Sequence, residues 1–183
     1  MHPEEAAAAL STISETERAV RRASLRWTLA PTLVTWGIVW IAGYLGSLVL
    51  EPSRGTTLWT VLVAAGIAIP FGTNTWYGRR VRSPLGRKLA LSWMVAMFYL
   101  FLWSFLLFPR DPILASFFLV TAIMAGYVLM GIWLTRPLAV IGGFVTTVAL
   151  LGYLAGPLAF VLAVGLAGGG ALVLGGLWLW RSA

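Results

Sequence analysis

Cysteine is absent from the chain, histidine occurs once and acidic residues number six. The first absence removes disulfides, thiolate nucleophiles and cysteine-ligated metals or clusters. The one histidine is His2, so an imidazole-built zinc site or a haem axial ligand has nothing to draw on inside the apolar part of the chain. The acids are Glu4, Glu5, Glu15, Glu17, Glu51 and Asp111, and none falls inside an apolar run. General acid–base catalysis needs a titratable side chain beside the reacting bond, which makes an enzyme the least favoured class. Serine and threonine are plentiful but have no basic partner nearby. Their hydroxyls are expected to bond carbonyls one turn back. No catalytic residue, metal ligand or cofactor is expected.

Charge is also scarce. Of the 183 residues 60% are hydrophobic and 10% charged, where a soluble domain carries about 25% charged residues. Six apolar runs are long enough to cross a bilayer: 27–50, 58–77, 89–108, 113–135, 138–155 and 158–180. At about 1.5 Å per residue they cover about 27–36 Å, against a hydrocarbon core of about 30 Å. The reading is an all-α integral membrane protein with six transmembrane helices in one bundle over 27–181. Short breaks separate the runs: the near-neutral loop Glu51 to Thr57, the turn Pro109-Arg110-Asp111-Pro112, Arg136-Pro137 and Gly156-Pro157. Residues 1–26 hold no apolar core of a cleavable signal peptide. They are expected to form a short amphipathic helix, with Leu10, Ile13 and Val20 on one face. That helix serves either as a dock for a cytoplasmic protein or as a polar extension of the first span.

Orientation comes from Gly78 to Lys88, which holds Arg79, Arg80, Arg82, Arg87 and Lys88 and no acid. Positive loops resist translocation, so this stretch is assigned to the cytoplasm, with both termini on the same side of a plasma (inner) membrane. Inside positives are then Arg18, Arg21, Arg22, Arg26, the five of the basic stretch, Arg136 and Arg181, eleven in all, against Arg54 and Arg110 outside. The net charge of +7 sits beside the spans and implies anionic lipid at the cytoplasmic face, not nucleic acid. Arg79, Arg80, Arg82, Arg87, Lys88, Arg22 and Arg26 are the candidate lipid contacts. Spans 2, 4 and 6 each end with Trp-x-x-Arg, at Trp76/Arg79, Trp133/Arg136 and Trp178/Arg181. That echo fits three duplicated hairpins, or merely the preference of inward ends for an interfacial Trp and an Arg.

Three features inside the spans bear on function. Ala159, Ala163, Ala167, Ala171 and Gly175 stand four apart in the last span, a stripe suited to close helix packing within the chain or with a second copy. Trp36, Trp40 and Tyr44 share one face of the first span, an aromatic wall for a cation or flat ligand, or ordinary packing. Pro70 and Asn74 interrupt the second span. A proline there frees the carbonyl of Gly66, which an indole N–H of Trp36 or Trp40 is expected to satisfy. Together Trp36, Trp40, Tyr44, Pro70 and Asn74 form a candidate ligand pocket. The favoured function is a non-catalytic binding or accessory component. The alternative is a proton-independent carrier or pore for a neutral or hydrophobic cationic solute.

The charge count makes a direct prediction. Because the chain has no cysteine of its own, single cysteines in place of Ser53 and Ser83 can be labelled cleanly on intact cells. An impermeant thiol reagent should reach position 53 and not 83; the reverse pattern would overturn the orientation.

Overall fold

The structure is a computed structural model that describes residues 11, 12, 15, 16, 19, 22, 23, 25–78, 84–107 and 111–182. Six helices span nearly all of these, and no strand occurs among the described residues. They are α1 Leu25–Val49, α2 Pro52–Gly78, α3 Pro84–Leu107, α4 Pro112–Trp133, α5 Arg136–Ala155 and α6 Pro157–Ser182. All but α3 are long and apolar enough to cross a membrane, and α3 holds a shorter apolar stretch, Leu91–Leu107. The isolated described residues between 11 and 23 are helical, while residues 1–10 with Leu10, and also Ile13, Arg18, Val20 and Arg21, lie outside the described set.

Proline starts these helices. Pro52, Pro84, Pro112 and Pro157 are first residues, Pro137 is the second residue of α5, and Pro31 follows the π-helical turn Leu25–Leu29 that opens α1. A first-turn N–H has no intrahelical acceptor, so proline sacrifices nothing there and its fixed φ favours the helix. Two boundaries move for this reason. The stretch 52–57, expected as loop, is the first turns of α2, with the Gly55 N–H on the Glu51 carbonyl at 2.8 Å. Arg87 and Lys88, expected in a loop, lie on α3, and only their backbone is described. Arg79, Arg80 and Arg82 lie outside the described residues. At α4 the Asp111 carboxylate accepts from the Leu114 N–H at 2.9 Å and caps the helix. Between α5 and α6, Gly156 takes φ +114°, a backbone that side-chain-bearing residues avoid.

Pro70 does not break α2, which runs without interruption from Pro52 to Gly78. The expected indole bond is also absent. Trp36 meets Gly66 through ring carbons, with Cη2 3.3 Å from where a methyl would stand, and no hydrogen bond joins Trp36 or Trp40 to Gly66. The indole meets the glycine through its ring carbons.

The helices stand in the spatial order α2, α1, α6, α5, α4, α3, with the most extensive contacts between α4 and α5 and between α1 and α6. The fully buried side chains come from the four middle helices: Leu33, Met124, Leu138, Val145, Phe160, Val164 and Leu172. Small residues let those helices close. A methyl at Gly176 would stand 2.8 Å from the Ala30 carbonyl, and one at Gly37 would stand 2.7 Å from the Gly169 carbonyl. The stripe read from sequence lies beside this contact. A methyl at Gly175 would run into Ile141, and Ala163 stands 2.8 Å from a methyl at Gly152, so two members of the stripe meet α5 of the same chain. Ala171 packs against the core, and Ala159 and Ala167 are half-buried.

Gly176→Ala should therefore lower thermal stability in detergent by about 1–3 kcal/mol, the usual cost of overpacking. Gly170→Ala meets nothing within 4 Å and should be neutral or stabilise by up to about 1 kcal/mol through helix propensity. Equal melting of the two variants would contradict the close α1–α6 contact.

Candidate functional site

The side chains nearest to a functional constellation gather where α1 ends and α2, α4 and α6 begin. Tyr44, in the last turns of α1, lies against Phe160 of α6 at 6.1 Å between ring centroids and against Trp59 of α2 at 5.2 Å, both edge to face. Phe117 of α4 stacks on Tyr153 of α5 at 4.6 Å, and both rings touch Phe160. Phe160 has no exposed surface. Edge-to-face pairs set the positive rim of one ring against the negative face of the next and add to burial. Five helices thus meet at one aromatic knot.

Two hydrogen bonds fix it. The Tyr44 hydroxyl and the Ser116 hydroxyl are 2.6 Å apart and link α1 to α4. The Trp59 N–H donates to the Ser47 hydroxyl at 2.9 Å, and that hydroxyl donates to the Gly43 carbonyl at 2.8 Å. Gly43 makes room for this: a methyl there would lie 2.6 Å from the Trp59 ring. Elsewhere the hydroxyls of Thr32, Thr60, Thr121, Thr146 and Thr147 bond the carbonyls four residues back within their own helices, whereas the bonds of Tyr44 and Trp59 join different helices.

The candidate pocket set is dispersed. Trp40 and Tyr44 are buried in the core, Trp36 covers Gly66, Pro70 is buried in α2 and Asn74 is exposed. Trp40 does stand beside Tyr44, at 6.3 Å between rings, as their spacing implies. An open apolar groove of about 500 Å³ runs along α2, lined by Trp59, Thr60, Val63, Ala64 and Ile67, and shares no residue with that set. A π-helical stretch in α6, Ala163–Gly168, packs beside Trp40 and Tyr44: methyls at Gly165 and Gly168 would stand 2.9 Å from the Tyr44 Cβ and 3.6 Å from the Trp40 ring. Sequence reasoning missed Ser116, Phe117, Tyr153 and Phe160. The only signal was aromatic placement near the starts or ends of three runs.

Chemically, the knot offers hydroxyls and ring faces but no base, nucleophile pair or charge. Among the described residues no three His, Asp or Glu side chains gather as a metal site would require. The chain matches no protein-family model, no curated protein and no solved structure.

Removing one ring should cost far more than removing one hydroxyl. Phe160→Ala is expected to destabilise by about 3–5 kcal/mol, and Tyr44→Phe by about 0.6 kcal/mol, the average for a side-chain bond inside a membrane. Thermal melts of both variants in one detergent test the ranking; a larger loss from Tyr44→Phe would mean that the hydroxyl pair, not packing, holds the helices.

Proposed function

We propose that this chain is a six-span plasma-membrane protein, both termini cytoplasmic, that works as a non-catalytic binding or accessory component. Two observations support the membrane reading. Five of the six helices reach spanning length with apolar sequence, and α3 holds the shorter apolar stretch Leu91–Leu107. Large apolar side chains also face outward, Phe105 at 77% and Trp133 at 83% exposure, which water would penalise and lipid tails would not. Orientation rests on the charge asymmetry, eleven basic residues against two. Residues 1–26 would lie on the cytoplasmic side, where a protein partner could reach them.

The observation that carries the functional reading is the filled knot. The aromatic wall that a solute would need, Trp40 and Tyr44, is packed against Phe160 and Trp59 and bonded to Ser116. Solute passage through the middle of the bundle would require these five helices to part. Proton coupling lacks a carrier group as well, because α1 to α6 contain no Asp, Glu or His, and intramembrane proton relays are built from those residues.

Reconstitution tests both points. The purified full chain in liposomes holding a pH-sensitive dye should give no proton movement on adding tetraphenylphosphonium or other lipophilic cations, and no uptake above protein-free liposomes. Solute-dependent uptake would favour the carrier reading, and accompanying proton flux would require a titratable site outside the six helices.

A further inference from the structure

We propose a binding site for a phospholipid phosphate at the junction of the start of α1 and the end of α6, centred on Arg26. The Arg26 guanidinium carbon lies 5.6 Å from the centroid of Trp27 and 5.8 Å from that of Trp180. The two indoles meet edge to face at 5.2 Å. One cation is thus held over two aromatic rings contributed by the first and last helices. Its attraction to the ring faces restrains a side chain that would otherwise sample many rotamers. Both rings lie to one side of the guanidinium, which leaves its other side for the planar N–H donors to make bidentate contact with phosphate oxygens.

Among the described residues no acid pairs with Arg26: the acids there are Glu15, Glu51 and Asp111. The surroundings are positive. Arg22 precedes Arg26 by one turn, and Arg181 follows Trp180 in sequence. The π-helical turn Leu25–Leu29 packs against both α2 and α6. Arg22, Arg26 and Arg181 carry the same sign, and a bound anion relieves repulsion between like charges. The turn itself helps: an i→i+5 turn rotates less per residue than an α-helix, which lets Arg26 and Trp27, adjacent in sequence, both address Trp180. Trp27 and Trp180 are 41% and 36% exposed, so the site is open at its rim. Half-exposed indoles at a bundle end belong at the headgroup level of a bilayer. The chemistry required is a phosphate oxyanion at that level, which an anionic phospholipid supplies with its tails along the apolar helix surface. This rests on the membrane reading above and adds to it a defined headgroup position.

Retention in native mass spectrometry of the purified full chain tests the site, with dioleoylphosphatidylglycerol, dioleoylphosphatidylcholine and inorganic phosphate as separate additives. The parent should retain phosphatidylglycerol over phosphatidylcholine. Arg26→Gln and Trp180→Leu should each lower phosphatidylglycerol retention about fivefold, the worth of one interfacial Arg. Arg26→Lys keeps the charge but loses the planar fork, and should fall between parent and Arg26→Gln. Arg136→Gln, at the start of α5, should retain lipid as the parent does. Circular dichroism of each variant reports whether the helices are intact. Should Trp180→Leu lose helix, Arg26→Lys and Arg26→Gln still decide. Retention of phosphatidylglycerol unchanged by Arg26→Gln, with helix content intact, overturns the site and leaves the six-span reading standing. Equal displacement of the lipid by inorganic phosphate at matched concentration overturns the lipid as the source. Failure of the membrane reading would show separately, as a chain that stays in solution without detergent.

Discussion

The close approach of α1 and α6 is the contact on which the rest of the bundle depends. Between apolar helices in lipid there is no hydrophobic gain from association, because a lipid tail is as apolar as a leucine. What remains is dispersion, which falls off within an ångström of optimal separation. Gly37, Gly169 and Gly176 bring the two backbones close enough to collect it. The same contact joins the first helix to the last, so it closes the chain on itself. It places Trp27 beside Trp180 at one end and Tyr44 beside Phe160 toward the other. With that contact widened, the Arg26 pairing and the aromatic knot would both lose one side.

The helices themselves are legible in the sequence because lipid-compatible segments announce themselves by length and polarity. Each expected run overlaps one observed helix, and proline marks the starts. The errors have one cause. Hydropathy reports where a helix is apolar, whereas a helix begins where backbone groups find partners. Pro52 to Thr57 is polar, yet its Gly55 amide and the Thr56 and Thr57 hydroxyls find acceptors within the helix. Arg87 and Lys88 are charged, yet Pro84 starts a helix that includes them. At Pro70 the reverse holds: a residue that breaks helices in water is carried through, and Gly66, one turn back, is covered by the Trp36 ring and not by its N–H.

Neighbour order is not legible, and the reason is physical. A soluble helix shows which face is buried because the other face is polar. These helices are apolar on every side, so α3 presents Phe98, Phe101 and Phe105 outward while α5 buries Val145 and Ala149 with the same kind of residue. The spacing of Trp40 and Tyr44 implies a shared face, and their rings stand 6.3 Å apart. What that face meets depends on Phe160 and Ser116, more than seventy residues away in the chain, and no local pattern encodes such a pairing. The alanine stripe had the same ambiguity. Spacing of four puts small residues on one side, and it takes the contacts of Ala163 with Gly152 and of Gly175 with Ile141 to show that α5 meets part of it.

Burial also separates the helices by how freely each can move. The fully buried side chains come from α1, α4, α5 and α6, while α2 rests chiefly on α1 and α3 chiefly on α4. Segments with few buried contacts open at lower free energy than the core around them. On that ground α2 and α3, the pair joined through the basic stretch, are the helices whose described contacts hold them least. A carrier that alternates access around Tyr44 would need the opposite: it would have to part α1 from α4 and α6, breaking the Tyr44–Ser116 bond and uncovering Phe160. A partner that engages α2, α3 or the basic stretch between them asks only the loosely held helices to adjust. That asymmetry is the physical argument behind the proposed accessory role, as against transport through the core.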